Sequence, residues 1–155
     1  VEIAESPQDS QTPAGMLPGP GLAGALAGTA LGDLDEYALV EAMRAARRLT
    51  AWAESVELAA IAELDRRREL QADRYGWTVE MSRAECDEIS AALTLSGTAA
   101  AIRLGVAIAL HKTLPGTRQA LAEGRIDAAR ARVICDATTG IGTELARKVE
   151  RLVLP

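Results

Sequence analysis

The sequence predicts an all-α chain. It reads as a multi-helix bundle with one long helix near the start, a helix-turn-helix-like segment in the middle, and a disordered leader in front. Three observations carry this. Apolar residues recur at steps of three and four. Ser, Asp, Pro and Gly punctuate the chain where helix ends need them. No segment shows the strict apolar–polar alternation of a half-buried strand.

Residues 1–32 read as a flexible Gly/Pro-rich leader, with six Gly and four Pro. Such a stretch loses too much backbone entropy for its few anchoring side chains. A short helix over residues 22–31, lying against the body, is the alternative; glycine disfavours it. The helical domain is then expected over residues 33–155, truncated at its C-terminus. Residues 35–69 contain no Gly or Pro. Leu39, Met43, Ala46, Leu49, Trp52, Val56, Ala60 and Leu64 form one helical row. Asp35 and Glu36 open it and Arg66, Arg67 and Arg68 close it, as the helix dipole favours. This length exceeds an ordinary globular helix. Either the helix breaks near Leu49 and Thr50, or it is a long arm or dimer helix.

Residues 70–81 are expected to be a connection. Ser82 and Glu85 then have capping-box spacing, which predicts a helix over 82–94. Ser96 caps the next helix, 97–113. Pro115 suits a first helical turn and Gly124 a left-handed helix end, so a helix fills the space between them. Asp127 caps a helix to about residue 137, and Thr143 begins a last one to residue 154.

The composition is that of an ordinary soluble domain, 48% apolar and 25% charged over 155 residues. There is no Phe, so Ala, Leu, Ile and Val must build the core. The net charge of −5 is unevenly spread. Residues 35–95 hold 13 acids and 8 bases, while residues 96–135 hold six bases and two acids. A whole-chain nucleic-acid footprint is absent, but one local basic segment is present. No Lys or Arg stands near the N-terminus to start a signal peptide, and residues 99–110 are too short and too interrupted to span a membrane. The chain reads as cytoplasmic, with no membrane partner.

Catalytic chemistry finds little footing. The chain has one His, His111, and no Asn. One His without partners specifies no reaction, and its position beside Lys112 suits a helix C-terminus. Cys86 and Cys135 lack metal-site spacing and read as reduced, buried small side chains, although a disulfide between them stays open. Glu85, Asp87 and Glu88 read as a solvated face plus the capping Glu. No catalytic residue, metal site or cofactor is expected, and the chain reads as a non-enzyme. The feature with functional content is the helix, turn and Ser-capped helix over residues 88–104, which has helix-turn-helix grammar. It borders the basic segment. Arg103, Lys112, Arg118, Arg125, Arg130 and Arg132 are the candidate phosphate contacts. Ala99, Ala100, Ala101 and Ile102 dominate the second helix, so base readout is expected to be poor. That disfavours a stand-alone sequence-specific regulator.

A family resemblance rests on an ordered run of short strings. They are Leu93-Thr-Leu-Ser-Gly-Thr-Ala-Ala-Ala-Ile-Arg-Leu104, Leu114-Pro-Gly-Thr117, Ala122-Glu-Gly-Arg-Ile126, and Ala131-Arg-Val-Ile134 with Asp136-Ala-Thr138. Upstream, Ala51-Trp-Ala53 and Ala62-Glu-Leu-Asp-Arg-Arg67 fit the same pattern. Over residues 35–155 the chain resembles domain-of-unknown-function family 222. This is the N-terminal region of many actinobacterial HNH endonuclease proteins, including the mycobacterial thirteen-E-twelve repeat proteins. The resemblance implies a front domain of a mobile-element-type protein. It lends no nuclease residues, because the HNH module uses His and Asn that this chain lacks. A fainter similarity links residues 114–132 to the stretch after the helix-turn-helix of ParB-type partition proteins, without their signature motif. The expectation is a non-catalytic helical domain that contacts DNA through its basic segment. The alternative is a self-association domain, a homodimer through the long helix.

Overall fold

A computed structural model describes residues 13–76 and 79–155, with the side chains of residue 75 and residues 79–82 left aside. Among the described residues there are seven helices and no strand. They are α1 (Pro20–Ala27), α2 (Glu36–Tyr75), α3 (Val79–Leu93), α4 (Gly97–Lys112), α5 (Pro115–Ala122), α6 (Ala128–Thr138) and α7 (Thr143–Val153). The predicted all-α class holds.

Several boundaries follow from local chemistry. Asp35 caps α2 by accepting from the Ala38 N–H at 2.7 Å. Asp127 does the same for α6 through the Arg130 N–H at 2.9 Å. Pro115 occupies the first turn of α5. The carboxylate that serves α5 comes from afar: Glu150, on α7, accepts from the Thr117 N–H at 2.5 Å. Glu150 is buried, and a Cβ on Gly116 would stand only 3.0 Å from its carboxyl group. Gly116 thus makes room for a cap supplied from another helix.

Three expectations need correction. The long helix follows the unbroken alternative, with no break at Leu49–Thr50, but it does not end near Glu69. It runs 40 residues to Tyr75, because nothing before Gly76 interrupts it. The connection expected over 70–81 is correspondingly shorter, and its residues 77–78 lie outside the described part. Ser82 does not open α3, whose backbone is already helical from Val79. Of the expected leader, residues 1–12 lie outside the described part. Residues 13–32 are fastened to the body. Leu22 of α1 is fully buried, and the Arg48 guanidinium donates to the Pro13 carbonyl at 2.7 Å and the Met16 carbonyl at 3.4 Å. One buried leucine and one Arg clamp outweigh the poor helix propensity of the glycines.

The core is aliphatic, as the missing Phe requires. Leu58 and Ile61 of α2 meet Ile89 of α3, Val106 and Leu110 of α4, and Leu121 of α5. Helix α4 lies at the centre, touching α2, α3, α5 and α6. The side of α2 that packs inward carries Ala51, Leu58, Ile61, Ala62 and Asp65. The row of bulkier residues read from the sequence is not that side: Met43 and Val56 are 63% and 52% exposed. The uneven charge also finds its reason here. The basic segment packs on the acidic long helix, where Arg103 reaches Glu57, and Lys112 reaches Glu69 at 2.5 Å and Asp65 at 3.4 Å.

Candidate nucleic-acid interface

The corner between α3 and α4 is built from four residues. Thr94 takes the left-handed backbone (φ 55°) that ends α3. Ser90 pins the turn twice: its hydroxyl donates to the Leu95 carbonyl at 2.6 Å, and its carbonyl accepts from the Leu95 N–H at 2.9 Å. Ser96 then caps α4, accepting from the Ala99 N–H at 3.2 Å. The two helix axes differ by 103° across this three-residue turn. That lies in the roughly 90–120° range of helix-turn-helix corners.

The exposed face of α4 at this corner carries Thr98, Ala101, Ile102 and Gly105. Beside it runs a shallow groove of about 210 Å³, bordered by Leu95, Ala99, Ile102 and Arg103 of one arm and by Ala128 and Arg132 of α6. Arg103 and Arg132 are therefore the two candidate contacts that the fold brings together at the corner. The others are dispersed. Lys112 stands at the far end of α4, its ammonium pKa raised by the bond to Glu69. Arg125 binds Glu123 at 2.8 Å and the Pro155 carbonyl at 2.9 Å. Arg130 borders a separate groove with the end of α7, and Arg118 borders one with Trp52 and His111. Arg103 is tied to Glu57, and Arg132 lies 3.5 Å from Asp136. Among the described residues, Arg118 and Arg130 have no acidic partner.

Sequence reasoning missed a second basic surface. Arg147, Lys148 and Arg151 are exposed on α7, while Glu150 turns inward. Counting acids against bases over residues 136–155 hid this. The inward spacing of Ala146 and Glu150, four apart on one face, was the available signal. Glu85 was also misread. Read as the capping Glu of a first turn, it instead lies inside α3 and is 1% exposed, while Asp87 and Glu88 are exposed as a solvated face requires. Burial and the neighbouring Asp65 charge push the Glu85 carboxyl upward, opposed by Arg68.

The remaining candidates are quiet. The His111 ring sits 3.1 Å from the Ala107 carbonyl within its own helix. Cys86 and Cys135 are free thiols, and burial pushes Cys135 up to about 11. Among the described residues no group of three His, Cys, Asp or Glu is placed to hold a metal ion. No single helix there is long and apolar enough to cross a membrane.

A family model described as a domain of unknown function, DUF222, matches residues 36–152. The chain belongs to the DUF222 family. The match begins at the first residue of α2 and ends within α7, so the DUF222 region holds the corner and every candidate contact. No curated protein and no solved structure matches the chain.

Proposed function

We propose that this DUF222 chain is a non-catalytic, cytoplasmic helical domain of an HNH-endonuclease-like protein of mobile-element type. It engages DNA weakly and without sequence preference. The observation that carries the reading is the 103° corner with its capped second helix and the Arg103–Arg132 pair beside it. The resemblance read from the sequence supplies the HNH setting. The absence of Asn and the solitary His support a role in positioning DNA rather than cutting it.

The chemistry limits the affinity. At most two phosphates are neutralised, because Arg103 exchanges its bond to Glu57 and Arg132 its neighbour Asp136 to reach them, and an Ala-rich helix face offers no bidentate donors to base edges. The test is fluorescence anisotropy of the whole chain with a labelled 20-base-pair duplex at low salt. Replacing Arg103 and Arg132 together with Ala is expected to weaken binding at least 10-fold, while Lys112→Ala changes it less than 2-fold. A loss from Lys112→Ala as large as that from the double replacement contradicts the assignment of the corner.

A further inference from the structure

We propose that the groove between α2 and α5 is a binding site for an unpaired nucleotide of single-stranded DNA, its base stacked on Trp52 and its phosphates held by Arg118 and Arg147. The groove encloses about 750 Å³, within the range of small-ligand sites. It shares no lining residue with the groove at the α3–α4 corner, so the proposal does not rest on the corner reading. On a helical wheel of about 100° per residue, Trp52, Ser55, Val56 and Ala59 lie about 40–140° from the direction of the buried Ala51. They form one wall, about 10 Å long. Pro115, Arg118, Gln119 and Ala122 share one side of α5 and form the other wall. His111, in the last turn of α4, borders the groove as well.

The lining chooses the occupant. Trp52 is half-buried and lies outside the aliphatic core, so its indole borders the groove without a place in the central packing. An indole face stacks on any nucleobase. The groove is also cationic. Among the described residues no acid lines it, and Arg118 is exposed with no acidic partner. Arg147 of α7 donates to the Thr113 carbonyl at 3.3 Å, which sets a second guanidinium beside the Pro115 end. The one carboxylate close by, Glu150 against Gly116, is buried and taken up by the Thr117 N–H. An aromatic face beside unpaired cations is the combination that holds single strands. The polar groups of the walls are largely engaged: Ser55 donates to the Trp52 carbonyl at 2.7 Å, and the Gln119 amide to Glu123 at 2.8 Å. They offer little to a ribose 2′-hydroxyl, the group by which proteins tell RNA from DNA, so the groove suits deoxyribose. His111 donates through Nδ1 to the Ala107 carbonyl at 3.1 Å, which leaves Nε2 to accept from a base edge. A paired base does not reach the site, because its faces stay stacked within the duplex.

The test is titration of the whole chain at low salt with oligothymidylate of about eight nucleotides. The chain carries Trp77→Phe, so that Trp52 is its only indole. Stacking is expected to quench the Trp52 fluorescence saturably. Arg118→Ala should weaken binding at least ~5-fold and make the slope of log K against log salt shallower by about 0.7, the share of one phosphate contact on a single strand. Its circular dichroism and melting temperature should match wild type, since Arg118 is exposed. By anisotropy, Trp52→Leu should lose at least ~5-fold and Trp52→Phe less, because phenylalanine keeps a face for stacking. Replacing Arg103 and Arg132 together should change oligothymidylate binding less than ~2-fold, as expected of separate sites. A loss there as large as at Arg118 assigns the single strand to the corner and overturns the groove. Absence of quenching, or quenching indifferent to Arg118→Ala, overturns it too. A duplex that quenches Trp52 as strongly overturns the unpaired base, and tighter binding of oligouridylate overturns the choice of DNA.

Discussion

Gly124 ends α5 with φ +69°, and its backbone lies against α2 so closely that an added Cβ would stand 2.7 Å from the Arg48 Cβ and 2.8 Å from the Arg48 Cα. Gly124→Ala therefore has two costs. The left-handed backbone costs about 1–2 kcal/mol for a residue with a Cβ. The collision is with a main-chain atom of a 40-residue helix, which no rotamer relieves. Overpacking of this kind costs a further ~1–3 kcal/mol. The expected loss is then roughly 2–5 kcal/mol. Gly140 provides the control. Its φ is +79°, but nothing lies within 4 Å of an added Cβ. Gly140→Ala should show the backbone cost alone, about 1–2 kcal/mol. Urea unfolding followed by circular dichroism measures both variants against wild type. The difference between them isolates the close approach of α5 to α2. Equal losses at the two glycines refute the argument, because they leave no role for Arg48.

Other perturbations probe other joints. Glu150→Ala removes the acceptor for the Thr117 N–H and should cost about 1–3 kcal/mol in urea unfolding, with Glu150→Gln losing less; equal stability of wild type and Glu150→Ala contradicts the cross-helix cap. Leu22→Ala should cost α1 its anchor, worth about 2–5 kcal/mol, so that hydrogen exchange speeds at Ala23 while α4 keeps its protection; uniform loss across the chain contradicts a separately fastened α1. Glu85→Gln should change the pH dependence of stability. The folded-state pKa of Glu85 is raised by burial and by Asp65, with Glu88 and Glu69 adding to it and Arg68 opposing. The folded chain then holds this proton more tightly than the unfolded one. Its favourable contribution is complete below the ordinary carboxylate pKa and declines as pH rises from there to the raised value. Relative to wild type, Glu85→Gln is expected to gain stability at pH 7 and to match it near pH 4; a variant less stable at pH 7 contradicts the sign.

The local grammar of the chain was legible because its causes are local. Asp35, Ser96, Asp127 and Pro115 act on amides within their own first turns, and Gly124 acts on its own φ. What stayed hidden depends on which side of a helix another helix covers. The α2 row Leu39, Met43 and Val56 carries the bulk, yet α4 and α5 dock on the side of Ala51 and Leu58, where small residues permit close approach. The same distinction explains Glu85 and Glu150: an acid reads as capping or solvated until a neighbour buries it. Six bases in 40 residues suggested one basic face. Folding spreads them over separate grooves and sets Arg103 and Lys112 against the carboxylates of α2. The left-handed Thr94 gave no sequence signal, since glycine is the residue expected there.

The proposed role of the corner is tested most directly by the salt dependence of DNA binding. With each phosphate contact contributing about −0.9 to the slope of log K against log salt, Arg103 and Arg132 together give a slope near −2. Six engaged bases would give roughly −5. The account predicts the shallower slope and affinities that agree within ~10-fold across unrelated duplexes, the range left when backbone contacts dominate. Absence of binding at low ionic strength, or a slope near −5, contradicts it.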